Sequence, residues 1–112
     1  MLRNSTLIII AKELNLIINI PIISEGFEFK IFLWLVTYID NTLAKEWPRI
    51  WSGAVNTIYN LGLNGADTKG LEAAVSKNIT DKIDLPFGKR KNKEIAKKFT
   101  SVVFNLKKGG KL

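Results

Sequence analysis

The segment Ser24–Trp51 reads SEGFEFKIFLWLVTYIDNTLAKEWPRIW, and its apolar content decides the fold. Polar residues between positions 27 and 39 are few: Glu28, Lys30 and Thr37. On a helical wheel the apolar side chains cover almost the whole circumference. They leave a narrow polar stripe, formed by Lys30, Thr37 and Asn41. The segment therefore predicts a central helix that its own domain, another subunit or lipid must surround.

Residues at both ends of this segment set the limits of the central helix. Ser24 can act as its N-cap, because a serine hydroxyl accepts a hydrogen bond from a free backbone N–H of the first turn. Trp47-Pro48 interrupts the helix, since proline has no N–H to donate. Proline also suits the first position of a new helix. We predict helices over residues 25–46 and 48–61.

Apolar residues at helical spacing predict three further helices, over residues 6–19, 68–83 and 92–107. In the first segment the β-branched run Ile8–Ile10 makes a strand the alternative, but Lys12-Glu13 and the lack of strict alternation favour a helix. Asn4-Ser5-Thr6 offers N-cap candidates for that helix, and Asn92 can cap the last helix after a basic loop at Gly88–Lys91. The fold class is all-α, a compact bundle of about five helices.

The chain length of 112 residues fits one domain, 1–112, with a basic C-terminal helix and a short lysine- and glycine-containing tail at 108–112. Residues 12–22 resemble residues 77–87 at an offset of 65, and each stretch ends in a proline corner, at Pro21 or Pro86. Two pseudo-repeated helical hairpins would explain this similarity. The alternative is that unrelated helix–proline–helix units look alike once their apolar positions are matched.

The repeat separates the apolar residues of the central helix into two groups. One group matches core positions of the last helix: Ile31, Leu35, Tyr38 and Ile39. The other group has no such match and is the predicted partner interface: Phe29, Phe32, Trp34 and Val36. Aromatic residues dominate protein interfaces, so this surplus predicts a homo-oligomer. The alternatives are an ordinary core and insertion of Phe27–Ile39 into a membrane.

Basic residues are concentrated in the last quarter of the chain. The net charge is +7 in total, with −1 over residues 1–86 and +8 over residues 87–112. The candidate anion or nucleic-acid contacts are Lys89, Arg90, Lys91, Lys93, Lys97 and Lys98. Residues 89–111 could bind nucleic acid, an acidic protein or an anionic membrane surface, or simply form a solvated helix face. One arginine and no tryptophan or tyrosine argue against sequence-specific readout.

The composition leaves little equipment for catalysis. The chain has no cysteine and no histidine, which removes disulfides, thiolate chemistry and the usual zinc ligands. The glycine-rich stretch Leu63–Gly70 lacks the spacing of a phosphate-binding loop. We expect no enzyme activity, no cofactor and no metal. With no signal peptide or clear transmembrane helix in the sequence, we expect a cytoplasmic location.

These patterns favour a small, soluble, non-enzymatic interaction or assembly module that self-associates through its aromatic central helix. Non-specific nucleic-acid binding through the basic C-terminal segment is one alternative function, and a membrane-associated helical protein is another. A viral or phage origin would suit so small a chain without catalytic equipment.

Overall fold

The segments with apolar residues at helical spacing form five helices in the computed structural model of the protein, which describes residues 1–18, 25–60 and 69–106. They are α1 (Asn4–Ile17), α2 (Glu25–Glu46), α3 (Pro48–Asn60), α4 (Lys69–Lys82) and α5 (Lys89–Asn105). The all-α prediction is confirmed, and the bounds of α2 are those predicted. The Pro21 corner, the Ser24 cap and the tail at 108–112 lie outside the described residues, so the internal repeat stays a prediction.

The helices pack as two hairpins joined by α3. α1 packs mainly against α2, and α4 packs mainly against α5. α5 also contacts α1 and α3, and α3 contacts α2 and α4 as well. The radius of gyration is 13.4 Å, close to the value of about 13 Å for a compact chain of this length.

The core lies where the apolar faces of all five helices meet. Its largest side chains are at most 2% exposed: Trp51, Phe32, Phe99 and Phe104. The rings of Trp51 and Phe99 have centroids 6.4 Å apart and are tilted by 32°. The core therefore joins α2, α3 and α5 through aromatic side chains, which contribute most of the buried area per residue.

The start of α5 differs from the prediction. The helix begins at Lys89 with Gly88 as its N-cap, so the predicted basic loop is the first helical turn. Gly88 has φ 87°, a left-handed conformation that glycine adopts without strain. Asn92 lies inside the helix, and its side chain bonds to the preceding corner. Its Oδ1 accepts the Phe87 N–H (3.2 Å), and its Nδ2 donates to the Leu85 carbonyl (2.6 Å).

The predicted N-cap of α1 is also wrong. The helix begins at Asn4, and Arg3 is the N-cap without any side-chain capping bond. Asn4 and Ser5 are exposed within the first turn, while Thr6 is buried. The reason is that the Thr6 hydroxyl shares a 2.9 Å hydrogen bond with the Tyr59 hydroxyl of α3, so a tertiary contact takes the place of a local cap.

We expect Asn92→Ala to lower the free energy of unfolding by about 1–2 kcal/mol, because it removes two partly buried hydrogen bonds of the α4–α5 corner. Asn105→Ala is the matched control: this exposed asparagine of the same helix bonds only to the Ser101 carbonyl within the described residues (2.7 Å). Urea denaturation of both variants checks the prediction. Equal losses in the two variants would contradict a role for Asn92 in holding the corner.

Candidate functional site

One face of α2 remains uncovered by the bundle. Its buried side chains lie on the opposite face, which packs against α1 and α3: Phe32, Leu35, Val36, Ile39 and Leu43. On the uncovered face Phe27 is 62% exposed, Trp34 54% and Tyr38 36%. We call these three residues the aromatic face. Lys30, Asn41 and Lys45 are exposed beside them.

Trp34 and Tyr38 form an ordered pair within the aromatic face. They are one helical turn apart, at positions i and i+4, where side chains meet on a helix surface. Their ring centroids are 5.5 Å apart and their planes differ by only 1°. The two rings therefore support each other by stacking, and part of each ring remains accessible to a partner.

The structure corrects two of the four residues predicted for the partner interface. Phe32 and Val36 are both 0% exposed, because they point toward the side of α2 that packs on the bundle. Phe29 is half-buried against the core, and Trp34 alone of the four is exposed. Tyr38, which the repeat matched to a core position, is instead 36% exposed. The helical wheel could have predicted the exposure of these two residues, because Trp34 and Tyr38 lie next to the polar stripe.

A buried carboxylate lies on the covered side of α2. Asp40 is 0% exposed, and its Oδ1 accepts hydrogen bonds from Trp51 Nε1–H (2.8 Å) and from the Leu2 N–H (3.1 Å). Asp40 Oδ2 is buried and has no hydrogen-bond partner within the described residues. Sequence reasoning missed this residue. Asp40 therefore ties the segment before α1 to α2 and α3.

A second contact holds the same segment. The Tyr59 hydroxyl accepts the Arg3 N–H (3.0 Å), and the Arg3 guanidinium carbon lies 4.1 Å from the centroid of the Tyr59 ring. Such a cation–π contact contributes about 0.5–1 kcal/mol at an exposed site. Together with Asp40, Tyr59 gives the first residues of the chain a fixed position on the bundle, which is a structural role.

The six basic residues predicted as anion contacts all belong to α5. Four of them are exposed: Lys89, Arg90, Lys93 and Lys97. The other two, Lys91 and Lys98, are partly covered. Lys91 Nζ lies 3.5 Å from Glu94 Oε2, so its charge is partly compensated. Arg90, Lys93 and Lys97 have the spacing i, i+3, i+7 and share one side of the helix. We call these three residues the outer basic face.

A depression of about 480 Å³ lies between the end of α4 and the start of α5. Residues Thr80–Asp84 line one wall, and Lys89, Asn92 and Lys93 line the other. The lining contains two carboxylates, of Asp81 and Asp84, together with three lysines. Because opposite charges are mixed there, this depression offers no field of one sign to a charged ligand.

The described residues also limit other chemistries. They hold no group of three or more histidine, cysteine, aspartate or glutamate residues placed to bind a metal ion. No helix in the described ranges is both long and apolar enough to cross a membrane. The exposed aromatic and basic side chains give two candidate surfaces on different helices, the aromatic face of α2 and the outer basic face of α5.

Comparison of the chain with protein-family models, with curated proteins and with solved structures returned no match.

Proposed function

We propose that the protein is a non-enzymatic interaction module that self-associates through the aromatic face of α2. The observation that carries this proposal is the parallel, stacked pair of Trp34 and Tyr38, which remain 54% and 36% exposed. Tryptophan and tyrosine are the residues most enriched at energetic hot spots of protein interfaces. They bury a large rigid area at a small cost in side-chain entropy.

The order of side chains along α2 is self-complementary. Lys30 lies four residues before Trp34, and Tyr38 lies four residues after it. If two copies of α2 cross antiparallel at Trp34, each Lys30 lies opposite the Tyr38 of the second copy, where an ammonium group over an aromatic ring is stabilising. A two-fold axis requires this kind of reciprocal contact.

The exposed area favours a weak, reversible dimer. A buried aromatic side chain contributes roughly 150–250 Å², and the exposed fractions of 62%, 54% and 36% leave about 300 Å² on each copy. Both copies together with flanking residues reach about 1,000 Å², at the low end of specific interfaces. We therefore expect a dissociation constant in the micromolar range.

We expect Trp34→Ser to weaken self-association at least tenfold, because loss of a hot-spot aromatic residue costs about 2 kcal/mol or more. Ile50→Ser is the matched control, since Ile50 is a large apolar residue on α3 that is 36% exposed. Sedimentation velocity across a micromolar concentration series measures both variants and the unmodified protein.

Three results bear on the proposal. A concentration-dependent dimer that Trp34→Ser weakens and Ile50→Ser leaves unchanged supports it. A strict monomer at the highest concentration would overturn it. Equal weakening by both substitutions would also overturn it, because the interface would then not be the aromatic face.

A further inference from the structure

The outer basic face carries a charge that its own helix does not neutralise. Residues 89–105 contain six basic side chains and one acidic side chain, Glu94. Glu94 Oε2 lies 3.5 Å from Lys91 Nζ, and these two side chains form an ion pair within the helix. Arg90, Lys93 and Lys97 are exposed and stand outside that pair. They leave three cations in a row on one side of α5. Lys93 and Lys97 also border depressions to which α4 and the corner after it contribute the carboxylates of Asp81, Asp84 and Glu72.

The spacing of these cations follows from helix geometry. Seven residues separate Arg90 from Lys97, which corresponds to about 10 Å along the helix axis. Each strand of a DNA duplex carries one phosphate for roughly every 3.4 Å of the duplex axis. A rigid helix lying along the duplex backbone can therefore bring each of the three cations to a phosphate without any change in the fold.

The opposite side of α5 argues against insertion of this helix into a lipid bilayer. Ile95, Phe99 and Val103 are 0–1% exposed and pack in the core. An amphipathic helix binds a membrane by burying its apolar face among the acyl chains, and here the bundle already occupies that face. The surface available to a partner is therefore polar and cationic.

The aromatic residues near the outer basic face favour a duplex over a single strand. Proteins that hold single strands stack the bases on exposed aromatic rings. On α5 both Phe99 and Phe104 are buried, and Phe87 in the preceding corner is half-buried. The exposed rings of the aromatic face lie on α2, whose main neighbours are α1 and α3.

We infer that the outer basic face binds the phosphate backbone of double-stranded DNA without reading its sequence. Such binding rests on the release of counterions from the DNA, which makes it steeply dependent on salt. This activity is independent of the proposed self-association, since it uses a different helix and different side chains. An acidic protein is the competing partner, and the experiment below includes it.

We expect a short labelled duplex to bind with a slope of log K against log salt concentration of about −2.7, which is −0.9 for each of three phosphates. The affinity should then fall roughly 200-fold between about 20 and 150 mM salt. Fluorescence anisotropy measures the affinity at each salt concentration. The single substitution Lys97→Gln should make the slope less negative by about 0.9, because it removes one phosphate contact.

A triple variant tests whether the outer basic face is the DNA-binding surface. It carries Arg90→Gln, Lys93→Gln and Lys97→Gln, and we expect it to lose measurable binding. Its matched control removes one arginine and two lysines from exposed positions elsewhere, by Arg49→Gln, Lys12→Gln and Lys45→Gln. Circular dichroism melting curves establish that both triple variants are folded, as expected for exposed substitutions.

The control variant has the same net charge as the α5 variant, so retained binding by the control and lost binding by the α5 variant support the inference. Absence of duplex binding at low salt would overturn it, as would a slope near zero. Equal loss in the two triple variants would show that net charge alone is responsible. Tighter binding of polyglutamate than of the duplex would identify an acidic protein as the partner.

Discussion

Replacing Asp40 with alanine is expected to lower the free energy of unfolding by about 3 kcal/mol. The carboxylate is fully buried, and its Oδ1 accepts both the Trp51 indole N–H and the Leu2 N–H. Alanine leaves these two donors without a partner, and each buried unpaired group costs about 1–3 kcal/mol. Removal of Asp40 Oδ2, which has no partner within the described residues, offsets a part of that loss.

Asparagine at the same position separates the hydrogen bonds from the charge. Asp40→Asn retains an oxygen that can accept from Trp51 and Leu2 and removes the negative charge from the core, so we expect a loss below about 1 kcal/mol. Asp81→Ala, on the exposed surface of α4, is the control for loss of a carboxylate and should change the stability by less than about 0.5 kcal/mol.

Urea denaturation followed by far-UV circular dichroism measures all three variants. The expected order of stability loss is Asp40→Ala first, then Asp40→Asn, with Asp81→Ala last. If Asp40→Ala cost no more than Asp81→Ala, the hydrogen bonds of Asp40 would contribute nothing to the fold. Equal losses for alanine and asparagine would assign the effect to the carboxylate charge instead.

The architecture was predictable because it depends on local signals. Pro48 fixes the boundary between α2 and α3 through its own backbone chemistry, and helical spacing identifies α4 and α5. The starts of α1 and α5 were not predictable in the same way. Thr6 and Asn92 both have side chains suited to capping. Thr6 instead bonds to Tyr59, which only the folded structure brings close, and Asn92 bonds back to Phe87 and Leu85 in the adjoining corner from a position inside the helix.

The candidate site was predictable only in outline. A helix as apolar as α2 shows that some large side chains exceed what the core can cover, yet it does not show which ones. The deciding fact is the side on which α1 and α3 pack, and this is a tertiary property. Asp40 carried a usable signal, because a wheel places it beside Val36 and Leu43. A carboxylate at such a position indicates a buried polar contact.

Phe32 and Trp34 provide the sharpest test of this assignment, since both were predicted to face a partner and the structure separates them. Phe32→Ala is expected to lower the free energy of unfolding by about 3–5 kcal/mol, because it opens a cavity in a close-packed core. Trp34→Ala removes a side chain that is 54% exposed, so the loss of its stacking on Tyr38 should cost less than about 1 kcal/mol.

Chemical denaturation at a protein concentration below the dimer range compares the two variants without a contribution from self-association. A loss of 3–5 kcal/mol is a large part of the roughly 5–15 kcal/mol that stabilises a small domain. If the alanine variant does not fold, Phe32→Leu replaces it in the comparison, with an expected loss of about 1–2 kcal/mol in the free energy of unfolding. If substitutions at position 32 proved as mild as Trp34→Ala, Phe32 would not belong to the core. Both residues would then face the partner, as the sequence pattern predicts.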